Sequence, residues 1–181
     1  RHSYKDPLET FTTNIIGTAN VLNACRRLSK KIIVICVTTD KVYQNKEWEF
    51  PYRENDRLGG HDPYSASKAA AELVIDSFRK SFFNKTKISV ASVRAGNVIG
   101  GGDWSEDRLF PDIINSINSE KPINLRNPSA VRPWQHVLDP IVGYLSLAKS
   151  MDINPNKYNQ GWNFGPHNHD SKTVLEVCEQ A

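Results

Sequence analysis

Six consecutive apolar residues, Ile32-Ile33-Val34-Ile35-Cys36-Val37, break off sharply into Thr38-Thr39-Asp40-Lys41. A run this short and this rich in β-branched side chains reads as a strand buried on both faces of a parallel sheet. Parallel neighbours need crossover connections, so helices are expected on either side. Before the run, Asp6-Pro7-Leu8-Glu9 supplies an N-cap acid, a proline at the first helical position and a Glu able to reach back. Leu8, Phe11, Ile15, Ala19 and Leu22 follow at helical spacing to about Ser29. After it, a polar loop over 44–62 leads to a second cap and proline, Asp62-Pro63, with the stripe Tyr64, Lys68, Ala71, Ile75, Phe78, Phe82 on one face. Ile88 to Val93 reads as the next strand. Helix, strand, helix, strand points to an α/β fold with a doubly wound parallel sheet. Beyond Gly100-Gly101-Gly102, the pattern predicts a helix over 109–119, a short strand over 136–138, a helix over 140–149, a strand over 162–164 and a last helix over 171–180.

Composition removes several classes of protein. With 181 residues, 39% apolar and 24% charged, the chain can bury one core and is neither disordered nor collagenous. Its net charge of +3 is scattered rather than gathered into a basic stripe, so nucleic acid is not an expected partner. No apolar run approaches a membrane span, and Arg1-His2-Ser3-Tyr4 opens neither with Met nor with a signal peptide, so no membrane association is expected. Cys25, Cys36 and Cys178 are odd in number and lack CxxC spacing, which favours free thiols in a reducing, cytoplasmic setting. His2, His61, His136, His167 and His169 form no metal-ligand pattern, and no metal is expected.

Three groups of chemistry-bearing residues converge on one sheet edge. Thr38-Thr39-Asp40-Lys41 follows the first strand, at the end where open α/β sheets bind ligands. Arg94-Ala95-Gly96-Asn97 closes the next strand. Tyr64 and Lys68 stand four apart on the intervening helix, so both project from one face. A phenol becomes a base at neutral pH when a cation stabilises the phenolate, and lowering its pKa by roughly three units requires about 4 kcal/mol. The spacing alone is weak, since Tyr and Lys are both common enough here for one such pair to arise by chance. The capped helix start and the Thr-Thr-Asp on the preceding strand give it weight.

With these residues in place, the sequence resembles the extended short-chain dehydrogenase/reductases that act on nucleotide sugars, and among them the 4,6-dehydratases. The matching stretches are Val37–Tyr43, Leu58–Lys68, Val93–Trp104, Arg132–Val137 and Trp162–Pro166. The resemblance implies a Rossmann-like partial doubly wound sheet with part of a smaller substrate domain. Its implied boundaries are 1–96 and 136–150 for the NAD-binding part, and 97–135 and 151–181 for the substrate part. It also implies NAD as cofactor, a nucleotide sugar, CDP-glucose, as substrate, a product for deoxysugar and O-antigen synthesis, and a homo-oligomer at full length. Tyr64 would take the proton of the sugar's 4-hydroxyl, Lys68 would hold the nicotinamide ribose, and Thr39 would hydrogen-bond the same hydroxyl. Asp40 would be the acid on the hydroxyl leaving C6. Thr38 and Arg94 would join the cofactor contacts, and Asn97, Arg132 and Asn163 the substrate contacts. Trp104 and Trp134 could border the substrate or belong to the core, and Gly100 to Gly102 suit an active-site loop.

The chain departs from the pattern at Lys41, where related dehydratases place a Glu as the base at C5. A lysine takes that role only as a neutral amine, which needs burial or nearby positive charge; pairing with Asp40 or a substrate oxygen is the alternative. An epimerase or decarboxylase of the same family, or a non-catalytic binding domain, are the rival readings. No GxGxxG-like turn occurs among the 10 glycines, so the chain reads as roughly half of a family member. These 181 residues alone are therefore expected to bind NAD weakly. Calorimetric titration with concurrent sizing checks this, and micromolar binding by a monomer would contradict it.

Overall fold

The computed structural model describes residues 2–167 and 170–181, and His169 lies outside them. In chain order the elements are helices α1 (His2–Lys5), α2 (Pro7–Phe11) and α3 (Gly17–Cys25), strand β1 (Ile32–Val37), helix α4 (Pro63–Phe78), strands β2 (Ile88–Ala95) and β3 (Val98–Ile99), and helix α5 (Leu109–Ser119). Strands β4 (Val131–Arg132) and β5 (Gln135–His136), helices α6 (Leu138–Ile153) and α7 (Pro155–Tyr158), strands β6 (Gly161–Phe164) and β7 (Lys172–Thr173) and helix α8 (Val174–Gln180) complete it. The chain divides into two compact units, 1–95 with 141–164 and 96–140 with 165–181. The units change at 96, 141 and 165, beside the boundaries at 97, 136 and 151 that the resemblance implies.

The first unit holds a parallel sheet of order β1-β2-β6. Val37 pairs with Val93 and Arg94 with Asn163, so the three strands end together and their C-terminal residues share one edge. Side chains alternate across the sheet as a pleat requires. On one face Val34, Ile88 and Val90 pack with Leu22, Ile75 and Phe83 from the α3 and α4 helices and the turn that ends α4. On the other, Ile33, Ile35, Ala91 and Val93 pack with Leu147 and Met151 of α6. Gly143 lets α6 approach closely, because a Cβ there would overlap the Phe164 ring. Strand β2 is buried from Ile88 to Arg94. Within these residues β1 is half-buried, with Val37 55% exposed.

Two widened turns reshape the predicted helices. The first helical stretch ends at Cys25 rather than near Ser29 and carries a π turn over Thr12–Ile16, just after which the Thr18 hydroxyl donates to the Asn14 carbonyl at 2.6 Å. Asp6 caps as expected, accepting from the Glu9 N–H at 2.9 Å, but the Glu9 carboxylate pairs with His2 instead of reaching back. Helix α4 passes into a π turn over Arg79–Phe83. The extra residue moves the apolar stripe on by one, so Phe83 is buried at 3% exposure while Phe82, which the helical spacing selected, is 43% exposed. In the second unit, β3 pairs in parallel with β5 and β4 antiparallel with β7. The predicted strand over 136–138 is instead β5 followed at once by α6, and the last helix begins at Val174 behind a capping box of Thr173 and Glu176.

The shifted stripe can be tested by chemical denaturation. Phe83→Ala should cost about 3–5 kcal/mol as a large-to-small core change, and Phe82→Ala about 1 kcal/mol or less. Equal losses would contradict the π-turn register.

Candidate active site

The edge formed by the strand ends begins with Thr39. Its backbone is extended, and its hydroxyl oxygen accepts from the Lys41 N–H at 3.4 Å, capping a short 3-10 turn over Asp40–Val42. The same hydroxyl donates to Asp40 Oδ1 at 3.1 Å, and Val42 is fully buried beneath the turn. Thr39 is buried, Asp40 half-buried and Lys41 exposed. The Lys41 charge acts on Asp62.

Asp62 sets the start of α4. Its carboxylate accepts from the Ser65 N–H at 3.1 Å and from the Ser65 hydroxyl at 2.5 Å. Burial works to raise its pKa, but these bonds, that of the Tyr64 N–H and the Lys41 charge hold it below the ordinary carboxylate range. Tyr64 follows in the first turn, 37% exposed, and Lys68 one turn further on is half-buried. The Lys68 Nζ donates to the Val37 carbonyl at 3.3 Å, which places the ammonium at the end of β1. Burial lowers the Lys68 pKa against the opposing pull of Cys36 and Glu72. The spacing thus brings Tyr64 and Lys68 onto one face of α4, with Lys68 directed to the Thr38-Thr39 end of the sheet.

One turn beyond Lys68 lies Glu72, which the sequence reading passed over. It is 2% exposed and accepts four hydrogen bonds: from Thr38 Oγ1 at 2.5 Å, Ser92 Oγ at 2.7 Å, Arg94 Nε at 2.9 Å and Arg94 Nη2 at 2.7 Å. Burial works to raise the carboxyl pKa, and the bonds and charge of Arg94, with Thr38 and Ser92, hold it below the ordinary range. For Arg94 burial works downward and Glu72 outweighs it, so the guanidinium is charged throughout the accessible pH range. Arg94 Nη1 donates to the Tyr43 hydroxyl at 2.7 Å and to the Glu54 carbonyl at 2.9 Å. The Tyr43 hydroxyl donates to Asn163 Oδ1 at 2.6 Å, and Asn163 Nδ2 donates to the Tyr52 carbonyl at 2.9 Å. A bidentate Arg with a carboxylate is the strong form of such a pair.

Several residues singled out in the sequence take part in this network or lie apart from it. Arg94, placed there among cofactor contacts, is 6% exposed, and its guanidinium is spent on Glu72, Tyr43 and Glu54. The Thr38 hydroxyl faces Glu72, and the Asn163 amide ties β6 to the 44–62 loop. In the second unit, Asn97 is half-buried and its carbonyl accepts from the Gln135 N–H, while Arg132 is exposed with Nη1 3.1 Å from the Val131 carbonyl. Trp134 donates its indole N–H to the Lys172 carbonyl at 3.1 Å and meets Phe110 edge-on. Trp104 is exposed. Among the described residues no group of three or more His, Cys, Asp and Glu could hold a metal, and Cys25, Cys36 and Cys178 are free. Glu72 and Arg94 did leave a signal: each is a lone charge in an apolar segment, Ala69 to Ile75 and Ile88 to Ala95, and the two are of opposite sign.

Glu72→Gln keeps the shape and removes the charge, leaving Arg94 buried without its counter-ion. It should cost about 3–5 kcal/mol near neutral pH. Because folding holds Glu72 below its unfolded pKa, its contribution is complete above the ordinary carboxylate pKa and lost as pH falls through the lower folded value. Denaturation curves across the acid range should therefore be less pH-dependent in the variant. An unchanged acid profile would show that Glu72 is not held ionised.

Comparison with known proteins places this geometry. The model of the NAD dependent epimerase/dehydratase family matches residues 1–161. The chain is 49% identical to the CDP-glucose 4,6-dehydratase of Salmonella typhimurium over 99% of its own length, and it spans 52% of that relative. Among solved structures it is similar to the dTDP-glucose 4,6-dehydratase of Bacillus anthracis in complex with NAD, with a TM-score of 0.73, 27% identity and 94% of this chain covering 51% of that one. It shares its fold, with a TM-score of 0.81 at 20% identity, with a dTDP-glucose 4,6-dehydratase of Streptomyces venezuelae, 99% of this chain covering 52% of that one. A parallel sheet whose ends carry Thr39-Asp40 and a Tyr64/Lys68 helix, together with these matches, establishes that the chain belongs to the NAD dependent epimerase/dehydratase family.

Proposed function

We propose that the protein containing this chain is an NAD-dependent hydro-lyase that converts CDP-glucose to CDP-4-keto-6-deoxyglucose. The observation that carries this reading beyond the family is the Thr39–Asp40 pair on the turn that ends β1, the strand whose Val37 carbonyl holds Lys68. A 4-epimerase needs the phenol and the ammonium but has no use for an acid beside Thr39, whereas a dehydratase must protonate a departing hydroxyl. The 49% identity to a CDP-glucose 4,6-dehydratase supports the same choice.

The residues at hand suit the nicotinamide end of NAD: a partly exposed phenol and, four residues on along the same helix, an ammonium with three N–H donors, of which Val37 takes one. When bound, NAD supplies the acceptor for a hydride from sugar C4 and the donor of a hydride to C6. Tyr64 takes the proton of the 4-hydroxyl, and the charge of Lys68 favours the phenolate. Thr39 donates to or accepts from the same hydroxyl and fixes its direction. Once C4 is a ketone, the proton at C5 is acidic. Asp40 then gives a proton to the hydroxyl leaving C6, and Lys41 takes the C5 proton as a neutral amine, a form that the positive charges of Lys68 and the nicotinamide favour.

Asn97 and Arg132 are proposed as contacts for a diphosphate, which suits an amide and an exposed guanidinium. Arg94 and Asn163 are assigned to the framework of the site, since their side chains are spent within it. The first unit is read as the cofactor part and the second as the substrate part. No helix among the described residues is long and apolar enough to cross a membrane. A cytoplasmic homo-oligomer supplying a deoxysugar for lipopolysaccharide completes the proposal.

Tyr64→Phe should keep the fold and lower turnover by about a hundredfold or more, because the ring still packs while the proton has no acceptor. Near-normal turnover would remove Tyr64 from the mechanism. In deuterated water, Asp40→Asn should still exchange hydrogen at C5 of the sugar, followed by NMR, while releasing little 6-deoxy product. Loss of that exchange would place Asp40 earlier in the sequence of steps.

A further inference from the structure

Thr38 lies between two residues of the proposed chemistry. On one side is Val37, whose carbonyl receives the Lys68 ammonium at 3.3 Å, and on the other is Thr39, whose hydroxyl meets Asp40 at 3.1 Å. Thr38 itself is fixed at two points. Its N–H donates to the Val93 carbonyl at 2.8 Å, and its hydroxyl lies 2.5 Å from Glu72 Oε1 and 3.2 Å from the Val93 carbonyl. A hydroxyl has a single proton, and the shorter, charge-assisted contact to the carboxylate takes it. Glu72 cannot drift, because Arg94 grips both of its oxygens and Ser92 donates to one of them. We propose that Thr38 and Glu72 form a positioning pair, in which the Thr38 hydroxyl bonded to Glu72 pins the end of β1 so that Val37 orients Lys68 and Thr39 presents its hydroxyl.

The pair is more than a buried hydrogen bond because of where the pinned segment leads. Through its backbone Thr38 is bonded to β2 and through its side chain to α4, so the strand end is fixed both to its neighbouring strand and to the helix that carries Lys68. Releasing the link frees the Val37 carbonyl to turn, and the Lys68 ammonium loses its bearing on the sheet. The catalytic meaning of Lys68 and Thr39 rests on the dehydratase reading, whereas the mechanical link between Thr38 and Lys68 does not.

Thr38→Val removes the hydroxyl at nearly constant volume, and Thr38→Ser restores it. Both are compared with the parent protein by steady-state turnover of CDP-glucose, by thermal unfolding and, without substrate, by the rate at which an N-hydroxysuccinimide ester acylates Lys68, followed by peptide mass spectrometry. Thr38→Val should lower kcat by about tenfold with KM changed by about twofold or less, and should speed Lys68 acylation by roughly threefold or more. Thr38→Ser should restore both toward the parent values, an outcome that a merely structural bond, changing stability alone, would not produce. Lys68 acylation at the parent rate in Thr38→Val overturns the proposal, as does a Thr38→Ser variant as reactive as Thr38→Val. A parent protein that turns over no nucleotide sugar overturns the dehydratase reading, and the acylation rates then decide the positioning pair by themselves.

Discussion

The buried Glu72–Arg94 pair is the interaction on which the rest of this edge depends. Removing two charges from water costs several kcal/mol each, and mutual attraction offsets that only when the remaining donors and acceptors are satisfied. Here they are: Glu72 receives Thr38 and Ser92 besides Arg94, and Arg94 gives its second amino group to Tyr43 and the Glu54 carbonyl. The result joins four segments that the sequence keeps far apart, the end of β1, the middle of α4, the end of β2 and the 44–62 loop. A hydrophobic replacement could match its stability without matching its directions. Directionality is what an edge carrying Thr39, Tyr64 and Lys68 requires.

Around that pair the sheet supplies rigidity. Strand β2 is buried between helices on both faces, so its register with β1 and β6 is fixed by side chains that cannot exchange faces. The residues proposed for the chemistry and those that frame them are then distributed by stiffness. Lys68 and Glu72 ride on a capped helix, Arg94 on the central strand, and Thr39 and Asp40 on a one-turn cap held by a fully buried Val42. Tyr43, stacked on Tyr52 at 5.1 Å between ring centroids, ties the same loop to Asn163. Function is thereby mounted on elements whose positions are over-determined.

Much of this was legible in the residues. The run Ile32 to Val37 forms the strand over the residues its pattern marks, Asp62-Pro63 starts α4, and the Tyr64/Lys68 spacing puts both on one face. What was hidden has physical causes. A π turn adds one residue to a helix without altering its composition, so a spacing argument chose Phe82 over Phe83. Arg94 and Asn163 sit where ligand contacts are sought, yet their partners, Glu72 22 residues away and Tyr52 111 residues away, become visible only once the chain is folded. Glu72 itself was overlooked because a glutamate in a helix is ordinarily a solvated one.

On the proposed reading this edge serves a dehydration in which one hydride leaves C4 and one returns to C6 of the same sugar. Incubating the protein with CDP-glucose deuterated at C4 and reading the product by NMR distinguishes this from the other reactions of the family. A dehydratase gives a 4-keto-6-deoxy sugar bearing the deuterium at C6. A product epimerised at C4 that keeps its 6-hydroxyl, with the deuterium still at C4, would contradict the reading.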